Sequence, residues 1–277
     1  MLKALVAAVG ALGLLAALGL GAVLWADPAE GDPFETPDAT SADLEDVAGH
    51  RVFFGHKSVG YNILDALPRL YEERGVAAPK VVESREAPLE PAIVHTPIGE
   101  NGHPLEKIAE FDRIMRDGMA DAVDVAIVKL CYVDFREGRV DVEEVFTAYR
   151  DTLAGLSRDY PGTSFVAATS PLTTERGPLG KVKAALGRGD TLGPEHNVVR
   201  ERFNALMRAE YTEPGTLFDI AAIQSTDASG ARVSYERDGE HYYAMEQAYA
   251  SDPGHLNPDG AEVAASAFVA VLADALA

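Results

Sequence analysis

The sequence predicts an α/β protein in which helices cover both faces of a central, mostly parallel sheet. Short apolar segments alternate along the chain with segments of helical periodicity, and such alternation is typical of βαβ units. Residues 123–132 are almost continuously apolar, as expected for a strand that is buried on both faces of a parallel sheet. We therefore predict three layers, α/β/α, with about five strands.

The individual elements are predicted from the pattern of apolar residues and from the turn residues between them. Residues 142–159, for example, carry apolar side chains at helical spacing, and a proline at 104 suits the first turn of the helix that follows it. Strands are expected at 51–55, 80–83, 123–132, 164–169 and 216–220, with a further short strand at 93–96. Helices are expected at 62–74, 105–117, 142–159, 195–211 and 260–277. Residues 173–194 read as a long loop that forms a mobile lid, and 227–243 as an irregular polar segment.

Composition argues against several classes of protein. The 277 residues carry 24 Lys and Arg against 44 Asp and Glu, a formal net charge of −20. That charge argues against nucleic-acid binding, which needs a basic face to neutralise phosphates. The single cysteine, Cys131, has no partner for an internal disulfide. No phosphate-binding loop or GxGxxG turn is present, so we expect no nucleotide and no cofactor.

The N-terminus predicts a membrane or secretion signal. A charge-free run of residues 4–26 follows Lys3 and is long enough to span a bilayer. We interpret residues 1–26 as an uncleaved signal anchor, with a cleaved signal peptide as the alternative. In both cases the remainder lies outside the cytoplasm. Residues 27–48 are acidic and contain prolines, which predicts a disordered linker over most of that length, and 49–277 form the domain.

The glycine-rich turn after the first predicted strand carries the first chemical signal. Gly55, His56, Lys57 and Ser58 follow an apolar run and precede an amphipathic helix. Ligands bind at this carboxyl edge of the strands in open α/β sheets, and a serine there lies near backbone N–H groups that stabilise an oxyanion. The alternative is that Ser58 only caps the helix, a role that serine fills well.

A second signal precedes the last helix. Asp252 and His255 are three residues apart on a turn shaped by proline and glycine. A histidine that acts as a general base needs a carboxylate to fix its tautomer and stabilise its charged form. The alternatives are a surface turn or a metal site, and a metal site is weakly supported because no third ligand is evident nearby.

Together these segments resemble the SGNH/GDSL hydrolase family, whose fold is flavodoxin-like. The sequence DPGHLNPDG at 252–260 is similar to the final block of that family, 99–102 looks like its second block, and 130–134 occupies its third. The resemblance implies a carboxylic-ester hydrolase with Ser58 as nucleophile, His255 as base and Asp252 as its partner. It also implies that the N–H groups of Ser58 and Gly102 bind the oxyanion, in a turn that begins at Gly99.

Two departures from the family pattern affect the site. The family's Gly-Asp-Ser reads here as Gly55-His56-Lys57-Ser58, so a register fixed by the glycine would put Lys57 at the nucleophile position. Val133 replaces the family's oxyanion asparagine, and valine donates no hydrogen bond. We expect the Asn101 amide to replace it, and His56 to be a solvated turn residue or to bind an anionic group of the substrate.

These features leave several functional readings open. The first is an esterase that acts on a small-molecule or glycan ester outside the cytoplasm and contacts the membrane through its N-terminal helix. A second is a catalytically inactive relative that binds glycans or proteins, because two of the family's motifs are broken. A third is an O-acyltransferase that uses the same serine.

Overall fold

A computed structural model of the chain describes residues 29–177, 179, 180, 183, 186, 193–237 and 239–277. Its centre is a six-stranded sheet, and each of its strand pairs is parallel. The strands are β2 (Arg51–His56), β3 (Val81–Glu83), β4 (Ala92–Pro97), β5 (Val125–Val128), β6 (Ser164–Ala168) and β7 (Leu217–Phe218). Their order across the sheet is β3-β4-β2-β5-β6-β7.

This strand order places a switch point beside β2. The chain builds β3 and β4 on one side of β2 and then crosses over to build β5, β6 and β7 on the other side. Helices that connect strands on opposite sides of such a point leave a crevice at the carboxyl ends of the strands, where ligands bind. The turn that contains Ser58 therefore lies at the position in the sheet that most favours a site.

Helices cover both faces of the sheet, as the sequence predicts. One apolar core lies between the sheet and the helices α1 (Ser41–Ala48), α2 (Val59–Glu73) and α7 (Pro258–Leu276). A second core lies on the opposite face, against α3 (Pro104–Ile114), α4 (Val142–Asp159) and α5 (Pro194–Glu210). The fold is thus a three-layer α/β/α sandwich, with six strands where about five were expected.

The described part of the predicted linker is ordered, which corrects that prediction. Strand β1 (Ala29–Glu30) pairs with β8 (Val233–Arg237), and α1 buries Leu44 and Val47 against the domain. Helix α1 begins with a capping box between Thr40 and Asp43, so the acidic residue that suggested disorder instead stabilises a helix N-terminus.

Two further predictions of secondary structure were wrong. The strand expected at 216–220 is only two residues long, and Ile220–Ser225 forms the helix α6. The segment expected to be irregular contains a hairpin of β8 and β9 (Glu240–Tyr243), whose strands pair antiparallel. Half of the residues of the predicted lid at 173–194 lie outside the described residues.

The predicted signal anchor or signal peptide at 1–26 also lies outside the described residues. Within the part of the chain that the structure describes, no helix is both long enough and apolar enough to cross a membrane.

Candidate active site

Ser58 lies on a strained turn between β2 and α2. Its backbone φ is 53° and ψ is −110°, and among the described residues it is the only non-glycine with a positive φ. A residue with a Cβ avoids this region, and where one is held there the cost is about 1–3 kcal/mol. Such strain is common at functional sites, where the surrounding structure holds a side chain in a required position.

The Ser58 hydroxyl does not cap the helix. Ser58 occupies the N-cap position of α2, but its side chain accepts no hydrogen bond from the helix backbone. Instead, Ser58 Oγ lies 2.6 Å from His255 Nε2, although the two residues are 197 positions apart in the chain. The alternative of a plain helix cap therefore does not describe this serine, and Ser58 rather than Lys57 faces the histidine.

Asp252 and His255 lie on a short hairpin of β10 (Ala250–Asp252) and β11 (His255–Leu256). His255 Nδ1 lies 2.8 Å from Asp252 Oδ2 and 3.0 Å from Oδ1. Because a carboxylate only accepts, Nδ1 carries the proton and Nε2 presents its lone pair to Ser58. This tautomer is the one that a general base requires.

Backbone donors keep the Asp252 carboxylate ionised. Partial burial raises its pKa, but hydrogen bonds from the backbone N–H of Gly254 and from His255 outweigh that effect, so the pKa lies below its usual value. The hairpin is itself held on two sides. The backbone N–H of Leu256 donates to Asn62 Oδ1 on α2 at 3.3 Å, and that of Thr174 donates to Pro253 O at 2.9 Å.

His56 is the buried last residue of β2, which corrects its predicted role. It is fully buried, and its Nε2 lies 3.0 Å from Nδ1 of His95. Burial, the nearby charge of Lys129 and the neighbouring His95 lower the pKa of His56 to about 2, so the ring is neutral. A neutral, enclosed ring neither binds an anionic substrate nor forms a solvated turn.

The position of the His56 ring requires a glycine at position 60. A Cβ on Gly60 would lie 2.2 Å from His56 Nδ1, well inside van der Waals contact. The first turn of α2 thus packs directly over the histidine that ends β2. This close approach fixes the path of the backbone on either side of Ser58.

The oxyanion donors differ from those that the sequence indicated. The N–H of Gly102 donates to Asp134 Oδ1 at 2.7 Å, and the N–H of Gly99 donates to Glu110 Oε2. Neither N–H is therefore available to a substrate, and their predicted part in an oxyanion hole does not fit the structure. The N–H of Ser58 has no acceptor among the described residues and stays available.

Asn101 keeps an uncommitted amide group. Its Oδ1 accepts a hydrogen bond from Lys107 Nζ at 3.1 Å, and its Nδ2 has no acceptor in the described part of the chain. Lys107 also contacts both carboxylate oxygens of Asp134, at 2.9 and 2.7 Å. Because lysine only donates, it fixes which end of the Asn101 amide faces inward and leaves the NH₂ group free to donate.

The third strand-end loop presents a tyrosine that the sequence reasoning did not single out. Tyr132 opens a short 3₁₀ turn, Tyr132–Asp134, which three residues separate from the end of β5. Its ring meets the His255 ring edge-on at 5.9 Å between centroids, and its hydroxyl lies against Gly254 of the same hairpin. The signal that was overlooked is a donor side chain next to Val133, at the end of a buried strand.

Two fully buried cations lie behind this loop. Lys129 donates to Leu130 O, and Arg200 donates to Tyr132 O, to Thr173 Oγ1 and to Asn197 Oδ1. Burial lowers the pKa of both groups, that of Arg200 to about 9.

The fold and the site define an α/β protein with a Ser-His-Asp constellation at the carboxyl edge of a parallel sheet. In comparisons with known proteins, the chain matches no protein-family model and no curated protein. It is similar to several solved structures, and some of these are described as GDSL-like, the family that the sequence motifs resemble.

Three of these similar structures illustrate the extent of the likeness. A protein described as an acylhydrolase from Bacteroides fragilis is 12% identical, with a TM-score of 0.47 over 83% of this chain and 86% of its own. A GDSL-like lipase from Bacteroides thetaiotaomicron is 12% identical, with a TM-score of 0.46 over 86% and 91%. The periplasmic domain of a lipopolysaccharide acetyltransferase from Salmonella ser. Paratyphi A is 13% identical, with a TM-score of 0.43 over 81% and 84%. Similarity at this level concerns the overall fold.

Proposed function

We propose that the protein is a serine hydrolase that acts on a carboxylic ester through an acyl-enzyme. The observation that carries the proposal is the continuous line of hydrogen-bonding contacts from Ser58 through His255 to Asp252, with distances of 2.6 and 2.8 Å. A serine, a histidine and a carboxylate in this geometry form an activated nucleophile. The strained backbone of Ser58 supports the same reading, because the strain serves no purpose in a helix cap.

The reaction follows from the tautomer of His255. As Ser58 Oγ forms a bond to the ester carbonyl carbon, its proton moves to His255 Nε2, and the carbonyl oxygen becomes an oxyanion. The C–O bond to the alcohol then breaks, and the alcohol leaves with that proton. A water molecule gives a proton to Nε2 and attacks the acyl-enzyme, which releases the carboxylic acid and restores Ser58. Asp252 stabilises the imidazolium in both halves of the reaction.

The accessibility of the site supports an ester on a bulky molecule. The side chains of His255 and Asp252 are 36% and 53% exposed, so the reacting groups lie near the surface. A polymer that carries O-acyl groups, such as an extracellular glycan, presents its esters to an open site of this kind. The acidic charge of the chain supports a neutral or cationic substrate surface over an anionic polymer.

The proposed location is outside the cytoplasm. It rests on the charge-free run at residues 4–26, which supports either a membrane anchor or a cleaved signal. Mass spectrometry of the N-terminus of the mature protein, together with membrane fractionation, distinguishes these two forms. A mature chain that is found in the cytoplasm would overturn the location.

The test of the activity is serine-dependent turnover. We expect wild type to hydrolyse p-nitrophenyl acetate and Ser58→Ala to show no turnover above background. A fluorophosphonate probe should label Ser58 in wild type, with the labelled peptide identified by mass spectrometry. Ser157→Ala is a matched control, because Ser157 is an exposed serine on α4, and it should keep wild-type activity. A folded wild type that neither turns over nor labels would support a non-catalytic binding module instead.

A further inference from the structure

Tyr132 is a side chain of the third strand-end loop whose hydroxyl lies against the hairpin that carries His255. The adjacent Val133 contributes no donor and packs against an apolar core. Three contacts position Tyr132 beside the reacting atoms: one with His255, one with Gly254 and one with Arg200. The inference drawn from them rests on the serine hydrolase proposed above.

The first contact is with the base. The Tyr132 ring meets the His255 ring edge-on at 5.9 Å between centroids. Tyr132 is almost fully buried, and its hydroxyl makes no hydrogen bond to a described residue. A phenol without a fixed acceptor is available to donate to an atom of the substrate that is bonded to Ser58.

The second contact is with the catalytic hairpin. A Cβ on Gly254 would lie 2.5 Å from the Tyr132 hydroxyl oxygen and 2.4 Å from its ring carbon Cζ. Position 254 therefore has to be glycine for the phenol to reach its place beside His255. The absence of a side chain at Gly254 leaves room in the hairpin for the Tyr132 ring.

The third contact fixes the backbone of the tyrosine. Arg200 Nε donates to the Tyr132 carbonyl oxygen at 2.9 Å, and the guanidinium lies 5.5 Å from the centre of the ring. On the other side, the preceding N–H, that of Cys131, donates to Asp134 Oδ2 at 2.7 Å. A donor that is held on both sides is preorganised, which is the property that makes a donor effective in catalysis.

From these contacts we propose that the Tyr132 hydroxyl donates a hydrogen bond to the oxyanion that forms when Ser58 attacks the ester. The hydroxyl takes the place of the side-chain donor that Val133 lacks. It acts together with the N–H of Ser58, which donates to the same oxyanion. Burial and the nearby carboxylate of Asp252 raise the pKa of Tyr132, so the phenol keeps its proton throughout the working pH range. The hydroxyl is then a catalytic group, and Arg200 is a positioning residue behind it.

The test compares an ester with its thionoester, in which sulfur replaces the carbonyl oxygen. Sulfur accepts hydrogen bonds weakly, so a donor to the oxyanion favours the oxygen substrate. We expect Tyr132→Phe to lower kcat on p-nitrophenyl acetate by about 10²-fold with little change in KM, as loss of one oxyanion donor does. The preference of wild type for the ester over the thionoester should fall by a similar factor. Tyr235→Phe, on the β8–β9 hairpin, is the matched control and should change neither quantity.

The outcomes separate this inference from the proposed function. If Ser58→Ala abolishes turnover while Tyr132→Phe keeps the wild-type kcat and ester preference, the hydrolase stands and the role of Tyr132 is overturned. If Tyr132→Phe lowers kcat but leaves the preference unchanged, the phenol only positions Ser58, which also overturns the inference. A wild type with no Ser58-dependent turnover overturns both. The phenylalanine keeps the ring between Gly254 and Arg200, and circular dichroism confirms that the variant is folded.

Discussion

Lys107, on α3, and Asp134, in the loop that follows β5, form a buried ion pair at the carboxyl edge of the sheet. Lys107 Nζ lies 2.7 Å from Asp134 Oδ2, and both side chains are fully buried. The same carboxylate accepts the N–H groups of Gly102 and Cys131, one from each of two strand-end loops. Every donor and acceptor of this cluster is thus directed at a partner, which is the condition under which buried charge is tolerated.

Removing the lysine should destabilise the protein strongly. We expect Lys107→Met to lower the free energy of unfolding by about 3–5 kcal/mol, because Asp134 is left as a buried charge without its counter-ion. Urea denaturation measures this change. Lys80→Met removes a lysine whose ion pair with Glu90 is mostly exposed, and it should cost less than about 1 kcal/mol. Equal effects of the two substitutions would contradict the importance of the buried pair.

The Asn101 amide should contribute to catalysis. Lys107 holds its Oδ1 and leaves its NH₂ group free, so we expect Asn101→Ala to lower kcat by about 10²–10³-fold. Asn101→Asp should be at least as inactive, because it replaces a donor by a negative charge near the oxyanion. Steady-state kinetics on folded variants measures both. Wild-type turnover by Asn101→Ala would show that this amide is not an oxyanion donor.

The strain at Ser58 should appear as an unusual preference for glycine. At a φ of 53°, we expect Ser58→Gly to be more stable than Ser58→Ala by about 1 kcal/mol, since glycine adopts positive φ without a steric cost. At Ser157, in the last turn of α4, the order should reverse, with glycine less stable than alanine. Thermal or urea unfolding of the four variants checks the comparison. The same order at both positions would contradict the strain.

Buried His56 should make the protein sensitive to mild acid. Its pKa is lowered to about 2 in the folded state, whereas in the unfolded chain the histidine takes up a proton below about pH 6.5. The contribution of neutral His56 to the free energy of unfolding is therefore fully present above that pH. It is lost as the pH falls toward the folded pKa, by up to about 1.4 kcal/mol per pH unit. Burial lowers the pKa of the neighbouring His95 as well, which acts in the same direction.

The pH dependence of the urea midpoint tests this. We expect the midpoint of wild type to drop between about pH 7 and pH 5, and the drop to be shallower in His56→Phe, whatever the absolute stability of that variant. His241→Phe, which removes an exposed histidine, is the control and should keep the wild-type slope. An unchanged slope in His56→Phe would show that His56 is not the group responsible.

The sequence was sufficient to predict the parallel sheet and the three side chains that lie together at the site. Asp252 and His255 are close in sequence, and strand ends in a parallel sheet converge on one edge, so local pattern and topology together place them beside Ser58. The β8–β9 hairpin was missed although a signal was present. Asp238 and Gly239 separate its two strands in the sequence, and this pair is typical of a two-residue hairpin loop.

The oxyanion donors were harder to predict, because they depend on which loop reaches which acceptor. Gly102 has a suitable N–H in the sequence, but Asp134, from a loop 32 residues further on, takes that N–H. The burial of His56 likewise follows from Gly60 and the first turn of α2, which close over the ring. Such contacts between segments have no counterpart in a local sequence pattern.

The single hairpin that carries both Asp252 and His255 divides the proposed catalytic groups into two units. Movement of the hairpin relative to α2 would change the distance from His255 to Ser58 while the distance from His255 to Asp252 stays fixed. Such a displacement would leave His255 with its tautomer and its carboxylate intact and would separate it only from Ser58. The hydrogen bond from the N–H of Leu256 to Asn62 Oδ1 ties the hairpin to α2 and so helps to set that one distance.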